Sequence, residues 1–573
     1  MGKCCCLVLV TIVAVLVLGL AIGIPVGMKK AKEKVKNWDP TAVNSACQST
    51  RYPDTCNETF TGDYPRDTNG VMRHSVQSSE KGVNDTLGFM SEFDSSDPVI
   101  SGAVEVCNEV LVSAREELEA ASTALETKDT LGVDTLKDIQ AWVSAAMELH
   151  TTCIDAFMEV NNVTGSALAK KSAKTDELLS NSLAFINALA QYGNDLLAWR
   201  PTGISLPEGF NFTLPNVTLP NIPGFGNRKL LSVEELEMDE GFPGWMDVET
   251  RRHLLQAPPK YDVVVAQDGS GNFRTIQAAV DAHKTNTKRL VIYIKAGIYN
   301  EQVIVPKKAK FLTLIGDGDR TVLTGDRNVA LMKGMTTFKS ATLIVSGAGF
   351  VGRSFRVQNT AGAEGHQAVA FRGSADNIAF YQVTFDSFQD TLYCHSFRQF
   401  YRDCTVFGTV DFIFGNAAAA FQNCKIIAKK STILGQQNTY TAQGRTDPNQ
   451  ATGLSFQNCV IDGTSDLMAS VAQYKSYLGR PWKAYSVCVI MKSEIKGHVD
   501  PTGWLPWNTT NFGLYTSYFA EYKNFGLGSA IDNRVQWSHQ VGNDKQANYY
   551  QANNFIQASE WVSGLDVPLT TAL

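Results

Sequence analysis

Residues 409–424 read "TVDFIFGNAAAAFQNC", a buried-strand pattern that contains a single charge. Asp411 lies between Val410 and Phe412, in an apolar run that is followed by small residues and a second strand-like segment. An ionised carboxylate in such surroundings is destabilising unless it is paired or hydrogen-bonded. Asp411 is therefore a candidate functional residue.

Several segments around Asp411 repeat one pattern: an aromatic residue, then a pair of polar residues, then a β-branched or apolar residue at the end. They are "SFRVQNT", "AFYQVTF", "QFYRDCTVF", "AFQNCKI" and "SFQNCVI", and Phe380, Phe400 and Phe421 recur among them at nearly equal intervals. A β-rich period near 20 predicts a parallel β-helix, in which each coil adds one strand to each sheet. An α/β alternation fits less well, because helical segments are missing between the strands.

The same period predicts a polar stripe across three neighbouring coils. Asp390 lies one period before Asp411, next to Gln389, and Gln367 lies about one period before Asp390. Residues one coil apart stack about 4.8 Å apart. Two carboxylates so close should have one pKa raised and one lowered, as in a general acid beside a nucleophile or base. Glutamine N–H groups could stabilise an oxyanion. The alternative is a stabilising polar ladder without catalytic function.

A further segment, "YLGRPW" (477–482), contributes Arg480 and Trp482. Arg480 could orient a carboxylate bidentately, and Trp482 could offer a sugar ring a flat apolar face. Each residue alone is more often structural. Together with the carboxylate stripe they indicate a carbohydrate cleft.

Competing chemistries find little support. The stretch "GAGFVG" (347–352) matches a dinucleotide-binding pattern, but a strand-like segment follows it where that site requires a helix. The sequence has no G-x-S-x-G or H-E-x-x-H motif, and its eight histidines lack metal-ligand spacing. We expect neither a metal nor an organic cofactor.

Residues 1–36 are predicted to be a signal peptide or membrane anchor with a basic flank. The segment from Cys4 to Met28 has no charge and is long enough to span a bilayer. The lysines after it favour a cytosolic flank, whereas N-x-[ST] sequons and paired cysteines favour secretion. We expect export, with signal and anchor both open. The candidate glycosylation sites are Asn57, Asn84, Asn162, Asn211, Asn216 and Asn508.

Residues 43–198 are predicted to form an antiparallel helical bundle, because apolar residues recur there at helical spacing. Its four cysteines could pair near with near, although three connectivities are open. They are Cys47, Cys56, Cys107 and Cys153. Cys404 and Cys424, one period apart, would lie on adjacent coils within disulfide reach, with a free buried pair as the alternative.

Residues 199–260 are predicted to be a Pro-rich linker with proteolytic processing sites. The candidate sites are the basic pairs Arg228–Lys229 and Arg251–Arg252. From residue 261 onward the chain carries a net charge of +6, and the preceding part carries −12. The basic half favours an anionic partner, which the acidic half could shield, although solvated surfaces of either sign would give the same totals.

Four segments in this order, "GHQAVA", "SFQDTLY", "DFIFGNA" and "YLGRPW", resemble the signature segments of plant pectin methylesterases (pectinesterases). The resemblance covers about residues 261–565 and implies a right-handed parallel β-helix. The helical region resembles the pectin methylesterase inhibitor family, the usual pro-region of such chains. The two basic clusters resemble the processing sites between these parts, though neither is the common "RRLL".

The resemblance also implies a role for each site residue. Asp411 resembles the nucleophile that attacks the methyl ester of a galacturonate unit, and Asp390 resembles the acid and base. Gln389 and Gln367 would stabilise the oxyanion, and Arg480 would hold Asp411. Trp482 would contact sugar, and Thr337 matches a substrate-contact position.

The function implied is hydrolysis of pectin methyl esters in the plant cell wall, with the pro-region as an intramolecular inhibitor and a secretory-pathway protease as a further partner. No nucleic-acid partner is expected. Two other classes stay open: a β-helix hydrolase or lyase that cuts the glycosidic chain, and a binding or inhibitory protein that relies on the helical domain.

Overall fold

The computed structural model describes residues 38, 40–93, 96–127, 131–192, 260–283 and 288–573. The predicted signal or anchor, almost all of the predicted linker and several candidate sites lie outside these ranges. Those sites are Arg228, Lys229, Arg251, Arg252, Asn211 and Asn216. Within the described ranges, none of the helices combines the length and apolar character that a membrane span requires.

The N-terminal part is a helical bundle held by two disulfides. Its helices are α1 (Pro40–Cys47), α2 (Pro53–Thr59), α3 (Thr68–Phe89), α4 (Pro98–Thr127), α5 (Val133–Val160) and α6 (Asn162–Tyr192). Helix α4 buries Leu111 and Leu118 in the core. Cys47 bonds to Cys56 and Cys107 to Cys153, which confirms the near-with-near pairing.

Residues 260–283 and 288–573 form a parallel β-helix with three long sheets. The first contains β1 (Val263–Val265), β2 (Leu290–Ile294), β5 (Leu312–Ile315), β8 (Val351–Arg353), β11 (Ile378–Tyr381), β14 (Arg398–Arg402), β17 (Ala418–Gln422), β21 (Gly453–Gln457), β25 (Val487–Met491), β27 (Tyr518–Tyr522) and β28 (His539–Gln540), in that order. The second contains β4 (Val303–Val305), β7 (Leu343–Val345), β10 (Phe371–Gly373), β13 (Leu392–Cys394), β16 (Ile413–Gly415), β20 (Thr441–Gln443) and β24 (Arg480–Pro481). We call this second sheet the cleft sheet.

The third sheet contains β3 (Gly297–Asn300), β6 (Thr321–Gly325), β9 (Arg356–Asn359), β12 (Thr384–Asp386), β15 (Thr405–Gly408), β18 (Lys425–Ala428), β22 (Val460–Gly463) and β26 (Glu494–Ile495). A short pair, β19 (Asn438–Thr439) and β23 (Ser476–Tyr477), lies beside the cleft sheet. The helices of this part are α7 (Ile276–His283), α8 (Ser465–Met468), α9 (Asp544–Tyr549), α10 (Ala552–Phe555) and α11 (Ala558–Trp561). Strand pairing is parallel throughout these sheets, so the predicted fold class is confirmed.

An aromatic column runs through the interior of the β-helix, and it includes Phe380 and Phe421 but not Phe400, the third of the regularly spaced phenylalanines. Tyr401, rather than Phe400, pairs in register with Phe380 and Phe421, and Phe456 continues the column. The stacked ring centroids of Tyr401 and Phe421 lie 4.5 Å apart, and those of Phe421 and Phe456 lie 4.6 Å apart. Phe400 points to the other face because side chains alternate along a strand.

The predicted disulfide between Cys404 and Cys424 is not formed, and both cysteines are free buried thiols. Each residue immediately precedes a strand of the third sheet, where Thr405 pairs with Lys425 and Lys425 with Val460. By the same register, Cys459 occupies the equivalent position on the next coil. The thiols contact main-chain carbonyl oxygens, with Cys404 Sγ 3.4 Å from Arg402 O. The alternative prediction, free buried cysteines, is therefore the one that the structure shows.

The glycine-rich stretch 347–352 is a coil corner, as its strand-like continuation indicates. It connects β7 to β8, and β9 follows without an intervening helix. A Cβ added to Gly347 would lie 2.2 Å from the carbonyl oxygen of Ala309, so only glycine fits this close approach.

Candidate active site

A single row of side chains crosses the outer face of the cleft sheet. Register pairs Arg372 with Tyr393, Tyr393 with Phe414, Phe414 with Ala442 and Ala442 with Arg480. The rings of Tyr393 and Phe414 stack with centroids 4.2 Å apart. The row therefore forms an apolar floor with an arginine near each end.

Asp390 and Asp411 occupy equivalent positions on consecutive coils, each two residues before a strand of the cleft sheet. Both have left-handed backbone conformations, with φ of 62° and 50°. Aspartate tolerates this region better than most residues, but such positions are uncommon and concentrate at functional sites. The side chains are almost fully buried, 7% and 5% exposed. The predicted carboxylate pair is thus brought together.

Asp411 is held by three side-chain donors. Arg480 donates from Nε to Oδ1 at 2.8 Å and from Nη2 to Oδ2 at 2.6 Å, a bidentate contact. The Thr439 hydroxyl donates to Oδ1 at 2.6 Å and accepts from the Asp411 main-chain N–H at 2.8 Å. Charge-assisted bonds of this kind stabilise an ionised carboxylate.

Asp390 has the opposite character. Burial raises its pKa well above the usual range, and the charges of Asp411 and Glu159 raise it further, against the opposing charge of Arg480. The pair therefore combines a carboxyl group whose pKa is raised with a carboxylate that is bonded to an arginine, an asymmetry that acid-and-nucleophile chemistry can use.

Gln367 and Gln389 lie beside each other on adjacent coils, joined by an isolated parallel bridge. The main-chain N–H of Ala368 donates to the Gln389 carbonyl oxygen at 3.3 Å, which fixes the two segments together. Both residues are half-buried. Gln389 thus lies next to Asp390 on the same coil, and Gln367 lies on the coil before it.

Trp482 and Thr337 lie at the margin of the same cleft. The Trp482 ring packs edge-on against Phe414, with centroids 6.0 Å apart. Thr337 opens a short 3₁₀ turn, Thr337–Lys339. A second tryptophan, Trp507, has its ring centroid 4.5 Å from the guanidinium of Arg480.

Two residues of the site were missed by the sequence analysis, Thr439 and Trp507. Thr439 lies at a sequence separation of 28 from Asp411, so the period near 20 does not reach it. The motif that supplies Arg480 ends before Trp507, and a lone tryptophan gives no signal of its own.

The helical bundle covers this cleft. Phe338, Tyr393 and Phe414 belong to one continuous buried cluster with apolar residues of the bundle. Helix α5 places Glu159 against Thr337, whose main-chain N–H and hydroxyl donate to it at 3.0 and 2.6 Å. The same helix places Glu148 where the Asn416 amide donates to it at 2.8 Å.

The lysine and arginine ion pairs across this interface have a consistent polarity. With one exception among those in the described ranges, the acid is on the bundle and the base is on the β-helix. The pairs are Glu105–Lys339, Glu109–Arg372, Glu116–Lys307, Glu117–Lys307, Asp138–Arg398 and Asp155–Lys483. The exception is Arg51 with Asp447. The acidic half of the chain therefore shields the basic half, as the charge distribution suggested.

The described residues contain no group of three or more His, Cys, Asp or Glu side chains placed to hold a metal ion.

A parallel β-helix with a paired carboxylate cleft defines a class of carbohydrate-active enzymes, and comparison with known proteins identifies the family. The pectinesterase family model matches residues 262–559, and the plant invertase/pectin methylesterase inhibitor model matches residues 41–185. The chain therefore belongs to the pectinesterase family and carries an inhibitor-like domain.

Relatives agree over most of the chain. Probable pectinesterase/pectinesterase inhibitor 21 of Arabidopsis thaliana is 36% identical over 96% of this chain and 78% of its own length. Pectinesterase 3 of Citrus sinensis is 38% identical over 93% of this chain and 88% of its own. The solved pectin methylesterase from carrot is 45% identical, with a TM-score of 0.54 over 56% of this chain and all of that one.

Proposed function

We propose that this pectinesterase uses Asp411 as its nucleophile and Asp390 as its acid and base. The observation that carries the proposal is the contrast within the buried pair: Arg480 and Thr439 donate to Asp411, while burial raises the pKa of Asp390. The substrate is the methyl ester of galacturonate units in pectin.

In the first half-reaction, an Asp411 oxygen attacks the ester carbonyl carbon. The carbonyl oxygen becomes an oxyanion, which accepts hydrogen bonds from Gln367 and Gln389. When the intermediate collapses, the methoxy oxygen takes the proton of the Asp390 carboxyl group and leaves as methanol. An acyl anhydride of Asp411 remains, and Asp390 is then ionised.

In the second half-reaction, Asp390 takes a proton from water as that water attacks the galacturonyl carbon of the anhydride. Collapse of this intermediate breaks the bond to Asp411 and restores its carboxylate. The product is a galacturonate carboxyl group, and Asp390 is again protonated. Trp482 and Thr337 position the sugar chain during both steps.

We also propose that the bundle inhibits the enzyme within the same chain. Two contacts support this proposal. Thr337 donates a hydrogen bond to Glu159 of the bundle, and the bundle buries the aromatic floor of the cleft. Cleavage at Arg228–Lys229 or Arg251–Arg252 by a secretory-pathway protease would then release the enzyme. Export to the cell wall is consistent with two disulfides and with exposed sequon residues. These are Asn84, Asn162 and Asn508, whereas Asn57 is half-buried.

The test is methanol release from highly esterified pectin by the full chain, with a unique protease site inserted between residues 199 and 260. Cleavage after folding should raise release, and Asp411→Asn should abolish it in the cleaved form. Asp403→Asn is a matched control, because Asp403 has a similar φ of 51° but lies outside the cleft. Release by Asp411→Asn near that of the unsubstituted chain would overturn the nucleophile. Shortening of the polymer would instead favour glycosidic cleavage.

A further inference from the structure

The ion pair of Arg51 with Asp447 joins the bundle to the β-helix outside the substrate cleft. Asp447 belongs to the loop 444–452, which follows β20 and turns the chain from the cleft sheet into the first sheet. We call this segment the corner loop. Arg51 lies in the bundle between α1 and α2, and its Nη1 donates to Asp447 Oδ2 at 2.9 Å. Neither residue is on the face of the cleft sheet that carries the carboxylate pair.

Asp447 is the most deeply buried acid among the lysine and arginine ion pairs of this interface. Its side chain is 0% exposed, whereas the other acids range from 13% exposed at Glu117 to 70% at Glu105. Its Oδ2 accepts from Arg51 and also from the Ser180 hydroxyl of α6, at 2.8 Å. Both of these donors come from the bundle. A docked bundle without them would leave a buried carboxylate oxygen unpaired, which is strongly destabilising.

The bundle presents Arg51 from a constrained loop. The disulfide between α1 and α2 closes this loop across a sequence separation of 9. The main-chain oxygen of Tyr52 accepts from the Asn181 amide of α6 at 2.9 Å, which ties the loop to the bundle. The guanidinium carbon of Arg51 lies 5.1 Å from the ring centroid of Tyr52 and 4.9 Å from that of Tyr485 on the β-helix. Because the loop is held in place, less conformational entropy is lost when Arg51 reaches Asp447.

Uncharged hydrogen bonds surround the ion pair. Asn187 of α6 donates from Nδ2 to the main-chain oxygen of Asn449 at 2.9 Å, and Gln450 donates from Nε2 to the main-chain oxygen of Ser144 at 3.2 Å. Ser180 and Asn187 are two turns apart and therefore lie on one face of α6. The corner loop is thus contacted by α5, by α6 and by the disulfide-closed loop, three separate parts of the bundle.

The polarity of the Arg51–Asp447 pair distinguishes it from the other lysine and arginine pairs in the described ranges, in which the acid is on the bundle. Pairs of one repeated polarity attract the two surfaces in more than one register, because a shifted acid can still face a base. A bundle in a shifted register would leave Asp447 without its cation, so that register is disfavoured. One buried polar contact sets the register of a coiled coil in the same way.

We propose that the contact of Arg51 with Asp447 is the recognition element of the docked bundle. It fixes one register of the bundle on the β-helix, and it selects a bundle that carries a cation in its disulfide-closed loop over a bundle that lacks one. The proposal rests on the inhibitory function given above and deepens it. The acidic helices α4 and α5 attract the β-helix and cover the cleft, while Arg51 and Asp447 determine which bundle stays bound.

The test is a double-mutant cycle in the full chain, cleaved in its linker after folding. The rate at which the bundle and the β-helix separate on dilution is followed by gel filtration. Arg51→Gln should raise this rate at least about thirtyfold, because truncating one partner of a buried charge pair acts mainly on dissociation. In the Asp447→Asn chain, the same change should raise the rate less than about threefold, since the charge to be compensated is gone. Lys174→Gln removes a cation from an exposed pair with Glu58 and is the matched control, with a change of no more than about twofold.

A similar rise for Arg51→Gln in both backgrounds, or no rise in either, would overturn the proposal. Arg51→Lys keeps the cation and should separate more slowly than Arg51→Gln, and equal rates for these two variants would also overturn it. Methanol release, measured in parallel, should recover at the rate of separation, with kcat and KM of the separated enzyme unchanged in every variant. If the separation rates follow the cycle while methanol release does not follow separation, the recognition element stands and inhibition by the bundle is excluded.

Discussion

Glu159 of the helical bundle accepts hydrogen bonds from the main-chain N–H and the hydroxyl of Thr337, at the margin of the cleft. The same carboxylate contributes to the raised pKa of Asp390. The bundle therefore contacts the cleft at a position implied for substrate and also acts electrostatically on the proposed acid. Its own carboxylates are perturbed in return, which makes the docking sensitive to pH.

Inhibition by the bundle should weaken as pH rises from 6.5 to 8. Burial in the interface raises the pKa of Glu148 to about 8 and that of Glu159 to about 7, from an ordinary value of 4.5. Docking therefore takes up protons, and its stabilisation is complete below pH 4.5 and lost as pH rises through 7 and 8. Burial lowers the pKa of His395 well below 6.5, so docking releases a proton only below that pH.

The measurement is the ratio of methanol release by uncleaved and cleaved chains across this range. Asp155 and Lys483 also face Glu148, with opposite effects on its pKa, and they are paired with each other. Glu148→Gln and Glu159→Gln should each flatten the profile. A ratio that stays constant, or falls with rising pH, would contradict the prediction.

Thr439 should be necessary for activity, because it bonds Asp411 twice. Thr439→Val removes the donor to Oδ1 and leaves the Asp411 main-chain N–H without its acceptor. An unsatisfied buried group costs about 1–3 kcal/mol, so we expect stability to fall by that amount. We expect kcat to fall at least about tenfold, since about 1.4 kcal/mol corresponds to a factor of ten. Thr439→Ser should restore both, and wild-type kcat in the valine variant would exclude the role.

The sequence predicted those features that repeat with the coil. The β-helix and the stacking of Asp390 over Asp411 follow from the repeat interval in the sequence. The register of strand pairing agrees with that interval, because Leu392 pairs with Ile413. The spacing of the phenylalanines did not define the interior aromatic column, because Phe400 and Tyr401 are adjacent aromatics and a spacing near 20 does not decide which one points inward. Thr439 was missed because a longer coil separates it from Asp411.

The interface could not be predicted in the same way. Which carboxylates of α4 and α5 meet which cations depends on how two separately folded surfaces fit together, and no local pattern encodes that fit. The net charges of the two parts indicated only that the bundle would supply the acids and the β-helix the bases. The pair of Arg51 with Asp447, which has the opposite polarity, is visible only once the two parts are placed together.

The aromatic column should stabilise the β-helix independently of the site. Phe421 is fully buried between Tyr401 and Phe456. Phe421→Ala would leave a cavity in a tightly packed coil, at a cost of about 3–5 kcal/mol. Urea unfolding should show this loss in the β-helix transition and leave the bundle transition unchanged. The exposed Phe512→Ala should shift neither transition by more than about 0.5 kcal/mol. An equal shift in both variants would exclude a special role for the column.

Arg480→Lys should separate the charge of Arg480 from its geometry. Lysine keeps the positive charge beside Asp411 but cannot make the paired bonds from Nε and Nη2, and it loses the flat contact with Trp507. We expect the β-helix to keep its melting temperature while kcat falls at least about tenfold, because the attacking oxygen is no longer held at a fixed angle. KM should change little.

Trp507→Phe is the matched variant, since it weakens the stacking under Arg480 and leaves both bonds to Asp411 in place. Its kcat should fall less than that of Arg480→Lys. If Arg480→Lys retains wild-type kcat, charge alone is sufficient and orientation by the fork is excluded. If Trp507→Phe loses as much kcat as Arg480→Lys, the stacked plane, rather than the two bonds, determines how Asp411 is presented to the ester.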